Sequence, residues 1–218
     1  GVMMSIGLFR VAFVVMFERT IPQFMKNAMA ENLLRNVYLN SAIKLFAVLS
    51  VFAPFMSQTL AVLVLGSTAI LLGYRFVHWK PARGFTNFGI ALSYFGYLGL
   101  VLHFFVEALA QSGALHLIGS VSIHTFSFLC MGVVIPAMII RISQGHTGRK
   151  LLFARSDRFA IACMFVGALC RLLGTQIWPQ HYTGWILAAA LGWSLCFGVI
   201  GIRLSHFLLS PRVDGREH

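Results

Sequence analysis

His124 stands inside an unbroken apolar run with Thr125, Ser127 and Gly132, where solubility gives no reason for an imidazole. Neutral imidazole is a common ligand for haem iron and copper, and histidines on different helices hold such cofactors in bundle cores. His103, at comparable depth on the preceding apolar run, is the best-matched partner for His124. His116 is a further candidate metal ligand, although a helix would put it about 12 Å from His124, too far to share one ion. Arg10 and Arg171 also fall within apolar runs, and a charge at that depth marks either a partner or a wet cavity. Arg171 is suited to neutralising a haem propionate. Glu107 follows His103 by one helical turn on the same face, a spacing that allows a hydrogen bond. Against the ligand reading stands a plain one, in which these histidines are packing groups bonded to neighbouring helices.

The elements that must position these residues are membrane helices. Hydrophobic residues make up 58% of the chain, Phe alone contributes 20, and the mean hydropathy is +0.82, too apolar for a soluble domain. The expected fold is an all-α polytopic transmembrane bundle, a single domain over residues 1–218 lying in a lipid bilayer. Apolar runs long enough to cross the hydrocarbon core are expected at 2–17, 37–56, 58–77, 85–109, 114–140, 159–178 and 184–208, seven in all. The net charge of +11 would suggest nucleic acid in a soluble protein. Here the cations collect in alternate loops, as membrane topology requires, and a nucleic-acid partner is excluded. Arg19, Lys26 and Arg35 occupy the first loop, Arg75, Lys80 and Arg83 the third, and Arg141, Arg149, Lys150, Arg155 and Arg158 the fifth, while the other three carry neither Lys nor Arg. That alternation predicts an external N-terminus and a cytoplasmic C-terminus. His103, His116, His124 and His181 then lie toward the outside, and His78, His146, His206 and His218 toward the cytoplasm.

Other features read as structural. Cys130, Cys163, Cys170 and Cys196 fall in apolar runs with no CxxC pair, which argues against a disulfide framework or a zinc site. Gly89, Ser93 and Gly96 form a small-residue face for close helix packing. Trp79, Trp178, Tyr182 and Trp185 fit an interfacial aromatic belt. The stretch Gly145, His146, Thr147, Gly148, Arg149 admits two readings: an anion site built from backbone amides beside basic side chains, or a tight helix-ending turn, which the absence of phosphate-loop spacing favours.

The order His124, Thr125, Ser127, Gly132, Arg141, Gly145, His146, Thr147, Gly148, Arg149 resembles the signature of the NnrS family, membrane proteins associated with haem, copper and the bacterial response to nitric oxide. Arg19, Ile21, Pro22 and Phe24 resemble the family's segment after a membrane helix, Trp79 with Pro81 its next loop, and Pro211, Arg212, Val213, Asp214, Gly215, Arg216 its closing sequence. The resemblance implies a bacterial inner-membrane protein that binds haem, of b type, and copper, with nitric oxide as a ligand. Family members usually have around twelve spans and a histidine-rich motif in the N-terminal half. This chain resembles the C-terminal seven, which another membrane chain or the missing half would complete. Where the family commonly places a His two residues before a Gly-Tyr pair, this chain has Tyr94 before Gly96 and Tyr97. His103 matches no family position, so the resemblance favours His124. No catalytic constellation stands out. Two further readings remain: a b-type haem subunit passing electrons from quinol, and a cofactor-free scaffold or transporter, which Arg10 and Arg171 would also suit.

Overall fold

The computed structural model describes residues 2–215; Arg216 of the closing motif and His218 lie outside the described residues. Among the described residues there is no strand. The long helices are α1 (Val2–Met29), α2 (Val37–Phe55), α3 (Gln58–His78), α4 (Phe88–Ser112), α5 (Val121–His146), α6 (Arg155–Ile177) and α7 (Pro179–Leu208). Six of them, α2 to α7, are long and apolar enough to cross a membrane. Helices are the form such segments must take, because a helix satisfies its own backbone groups where water cannot.

Two helices depart most from expectation. The first run, expected to stop at residue 17, continues through Pro22 to Met29. Glu18, which ends the apolar pattern, finds counter-charges on other helices: Lys44 Nζ of α2 at 3.3 Å and Arg75 of α3 at 3.9 Å. The fifth run, expected over 114–140, begins only at Val121 and runs on to His146. Residues 114–120 are irregular, with Gly119 in the left-handed region at φ 72°. His116 therefore sits in a loop, and the helical spacing inferred between it and His124 does not apply.

The chain divides into two compact units, Gly1–Phe126 and Ser127–His218. In the first, α3 lies along α4 and α1 packs on α2. The small residues of α4, Gly89, Ser93 and Gly96, are buried as the close-packing pattern requires. Side-chain caps start three of its helices: Asn36 accepts from Leu39 N, Ser57 from Leu60 N, and Asn87 from Ile90 N. In the second unit α6 and α7 meet almost backbone to backbone. A Cβ on Gly192 would lie 2.6 Å from the Cys163 carbonyl oxygen, and one on Gly167 3.0 Å from that of Ala189. Close approach of this kind is how helices associate in lipid, where hydrophobic drive between them is absent. Asp157, fully buried near the start of α6, caps the Ala154 amide and receives Arg203 of α7. Arg203 lies five residues before the end of α7 and is neutralised there by that buried carboxylate.

Candidate functional site

The first unit gathers charged and titratable side chains from three apolar helices. Helix α1 supplies Arg10, α4 supplies His103 and Glu107, and the first turn of α5 supplies Ser122. His103 is 0% exposed. Its Nδ1 lies 2.7 Å from the Ser122 carbonyl oxygen. A carbonyl only accepts, so Nδ1 carries the proton and Nε2 carries a lone pair. That Nε2 is buried without a hydrogen-bond partner. The ring packs against Phe126, centroids 5.2 Å apart, and Phe104, 5.6 Å apart.

Glu107 accepts the hydroxyl of Ser122, and Arg10 NH2 approaches its other oxygen at 3.9 Å, a contact longer than a hydrogen bond. Arg10 Nε is buried and unpartnered, and the guanidinium carbon stands 5.5 Å from the Phe104 ring centroid. The expected bond between His103 and Glu107 is not made; Ser122 lies between them, giving its hydroxyl to the carboxylate and its carbonyl to the imidazole. Glu107 borders two cavities. One, of about 100 Å³, is also lined by Arg10 and Gln111. The other, of about 380 Å³, is also lined by His116, Ser120 and Ser122. Both have polar or charged side chains in their walls and are large enough for water. The arrangement joins a carboxylate that borders two cavities, a hydroxyl and an enclosed imidazole whose second nitrogen carries an unused lone pair.

A second charged cluster lies further along α1. Arg75, expected in a loop, is in α3 and only 1% exposed. Its Nε donates to Tyr97 Oη at 2.9 Å and its NH1 to Asn40 at 3.3 Å, while Tyr97 donates to the Leu72 carbonyl at 3.0 Å. Trp79 lies beneath the guanidinium at 4.6 Å. Trp79 is thus buried against a cation and is no interfacial anchor. Sequence reasoning missed Arg75 because its neighbours in the chain, Lys80 and Arg83, make it look like one more loop charge.

His124 is half-buried on α5, directly before a π-helical segment, Thr125–Met131. Arg171, also half-buried, lies in a second such segment, Cys170–Gly174, with Tyr182 Oη 3.4 Å from its NH1. His116 is exposed in its loop. Among the described residues no three His, Cys, Asp or Glu side chains converge as a metal site.

The turn after α5 is closed by its own backbone. Thr147 N bonds the Ser143 carbonyl, Gly148 N that of Gly145, and Arg149 N that of Gln144. Those amides are therefore spent inside the turn, which favours the turn over an anion cradle. Residues 212–214 dock on it. Arg212 NH1 donates to the His146 carbonyl at 3.0 Å and Val213 N to that of Thr147 at 3.1 Å, while the guanidinium grips Asp214 through Nε and NH2 at 2.9 and 2.6 Å. The Asp214 hydrogen bond also holds Arg212 above its ordinary range. Gly148 has φ 71°, and a Cβ there would lie 2.7 Å from Asp214 Cγ. Two distant sequence motifs are one structural knot.

A family model described as NnrS protein matches residues 1–212. The chain belongs to the NnrS family. No curated protein and no solved structure matches it. The motif residues of this NnrS chain divide by role. Gly148, Arg212 and Asp214 hold the turn to the tail; Pro211 and Gly215 flank that contact, Gly215 at φ 69°. Arg141 lies on the last turns of α5, and Gly145 and His146 are exposed at its end. Arg19 and Pro22 lie on α1, each bordering a separate polar cavity.

Proposed function

We propose that this NnrS-family chain is a haem-binding, multi-pass protein of the bacterial inner membrane that acts in the response to nitric oxide. Family membership supports the nitric-oxide role, and His124 carries the haem role. It is an imidazole in a span of mean hydropathy 2.1, half-buried, beside a π-helical segment of the kind often found at functional sites. His103 has the right donor chemistry, since an outer Nδ1–H bond to a carbonyl is how metal-binding imidazoles are commonly oriented. Its surroundings do not fit a haem. The ring is fully enclosed by aromatic packing and borders neither cavity near Glu107. We therefore assign the ligand role to His124, with a second chain or further segment covering the macrocycle. Bound there, haem would supply an iron able to bind nitric oxide. Copper, the second group in this reading, would need donors from outside the described residues.

In the same reading α1 is a seventh crossing, about 42 Å long at the helical rise, with the N-terminus outside and the C-terminus cytoplasmic. The experiment is a pyridine haemochrome assay with copper analysis on the purified chain, repeated on His124→Ala and His103→Ala. Haem lost with His124→Ala and kept with His103→Ala is the expected result. Unchanged absorption bands in His124→Ala would remove it as the ligand. Adding nitric oxide to the reduced protein should shift the Soret band.

A further inference from the structure

Between α1 and α2 two cavities lie side by side. The first, about 300 Å³, is lined by Glu18, Arg19, Gln23, Arg35 and Asn40. The second, about 330 Å³, is lined by Pro22, Gln23, Lys26, Asn32, Leu33 and Arg35. Gln23 and Arg35 border both, so the two share a wall. Three cations face this space, and among the described residues none of Arg19, Lys26 and Arg35 has an ion pair or a side-chain hydrogen bond. The acids nearby are committed elsewhere. Glu18 faces Lys44 and Arg75. Glu31 binds Lys80 at 2.6 Å and faces Arg83 at 3.8 Å, and the Lys80 hydrogen bond holds its carboxyl below the ordinary range.

We propose that Arg19, Lys26 and Arg35 form a binding site for the phosphate of an anionic phospholipid headgroup. Three unneutralised cations around a cavity call for an anion, and guanidinium pairs phosphate through two parallel hydrogen bonds. Position selects a lipid. The pocket sits where α2 begins its crossing at Val37, the level of lipid phosphates, and basic pockets between membrane helices at that level bind headgroups. Leu34, Val37 and Tyr38 beside it are strongly exposed, Tyr38 at 88%, and offer an apolar lane for an acyl chain that a free phosphate would not use. The amides of Gln23 and Asn32 add donors to ester and glycerol oxygens. The site gives Arg19 and Pro22, conspicuous in the sequence, a shared role independent of any haem.

The test uses the full chain in neutral detergent, titrated with phosphatidylglycerol, phosphatidylcholine or inorganic phosphate, with binding read by native mass spectrometry and thermal melting. Phosphatidylglycerol should bind and raise the melting temperature, less so as salt increases; phosphatidylcholine should not. Arg35→Gln should weaken phosphatidylglycerol about fivefold, and Arg19→Gln, Lys26→Gln and Arg35→Gln together on the order of a hundredfold, one such factor per cation. Arg35 is exposed on a non-helical segment, so its loss removes no packing, and Arg35→Lys should retain most of the binding. Lys150→Gln, Arg155→Gln and Arg158→Gln together remove the same charge from other exposed positions and should change nothing. Equal weakening by the two triple variants would overturn the proposal, because only bulk charge would matter. So would inorganic phosphate matching phosphatidylglycerol, because the lipid would then be irrelevant.

Discussion

Helix α1 carries Arg10 into one buried cluster and, about 12 Å further along at the helical rise, Glu18 into another. The clusters share a plan, a charge on α1 meeting its opposite on another helix, yet differ in completeness. Around Arg75 the guanidinium donates two side-chain hydrogen bonds, to Tyr97 and Asn40, and lies over the Trp79 face, while Tyr97 passes its proton on to a carbonyl; among the described residues only Arg75 NH2 and Glu18 Oε2 lack a hydrogen-bond partner there. Around Arg10 the ion contact is the same 3.9 Å as that between Arg75 and Glu18, but among the described residues it stands without a side-chain hydrogen bond to the guanidinium, the imidazole Nε2 has no partner, and the carboxylate borders two cavities. A buried cation tied down by hydrogen bonds rigidifies its surroundings, whereas one without them is costly and persists where it is used. The difference separates a strut from a site.

The contrast fails or sharpens on measurable quantities. Arg75→Gln should cost most, about 3–5 kcal/mol in mixed-micelle unfolding, because it removes two hydrogen bonds from a buried charged donor, to Tyr97 and Asn40. A loss below that of Arg10→Gln would invert the comparison. Tyr97→Phe, which deletes one hydroxyl used twice, should cost about 1–3 kcal/mol. Arg10→Gln should cost only about 1 kcal/mol, since its single pair is long and Glu107 can turn to cavity water. It should instead speed hydrogen exchange in the Ser122 region, which Arg75→Gln leaves protected. The smallest effect belongs to Glu31→Gln on the surface. The Glu31 carboxyl is held below its ordinary value of 4.5, so its contribution is present above that pH and fades as pH falls through the depressed value. The wild-type and variant melting temperatures should therefore converge on acidification; a gap that widened would contradict the Lys80 contact.

The sequence showed the crossings clearly where apolar runs meet turn residues, and α2 and α3 fall within a residue or two of expectation. It failed where a distant partner decides the outcome. Glu18 and Arg19 look like the end of a span, yet the helix continues because Lys44 and Arg75 answer Glu18 from other helices. Residues 114–120 are apolar enough to be helix, and it is the left-handed backbone at Gly113 and Gly119 that shows otherwise. The site was half legible: Arg10, His103 and Glu107 stood out by depth, but Ser122, one hydroxyl in an apolar run, gave no sign that it links two of them. The strongest family motif, the turn at 145–149, proved to be architecture, and its need for Gly148 is set by Asp214, far away in the chain.

That knot also orders events in time. The turn leaves the ribosome with the fifth helix, but the partners that close it arrive 66 residues later, when Arg212 reaches the His146 carbonyl. Until then the turn has only its internal bonds. Its final shape is thus a late step of synthesis, set after α6 and α7 have been made, and a ribosome stalled before residue 212 would hold a chain with its helices made and its turn unlatched.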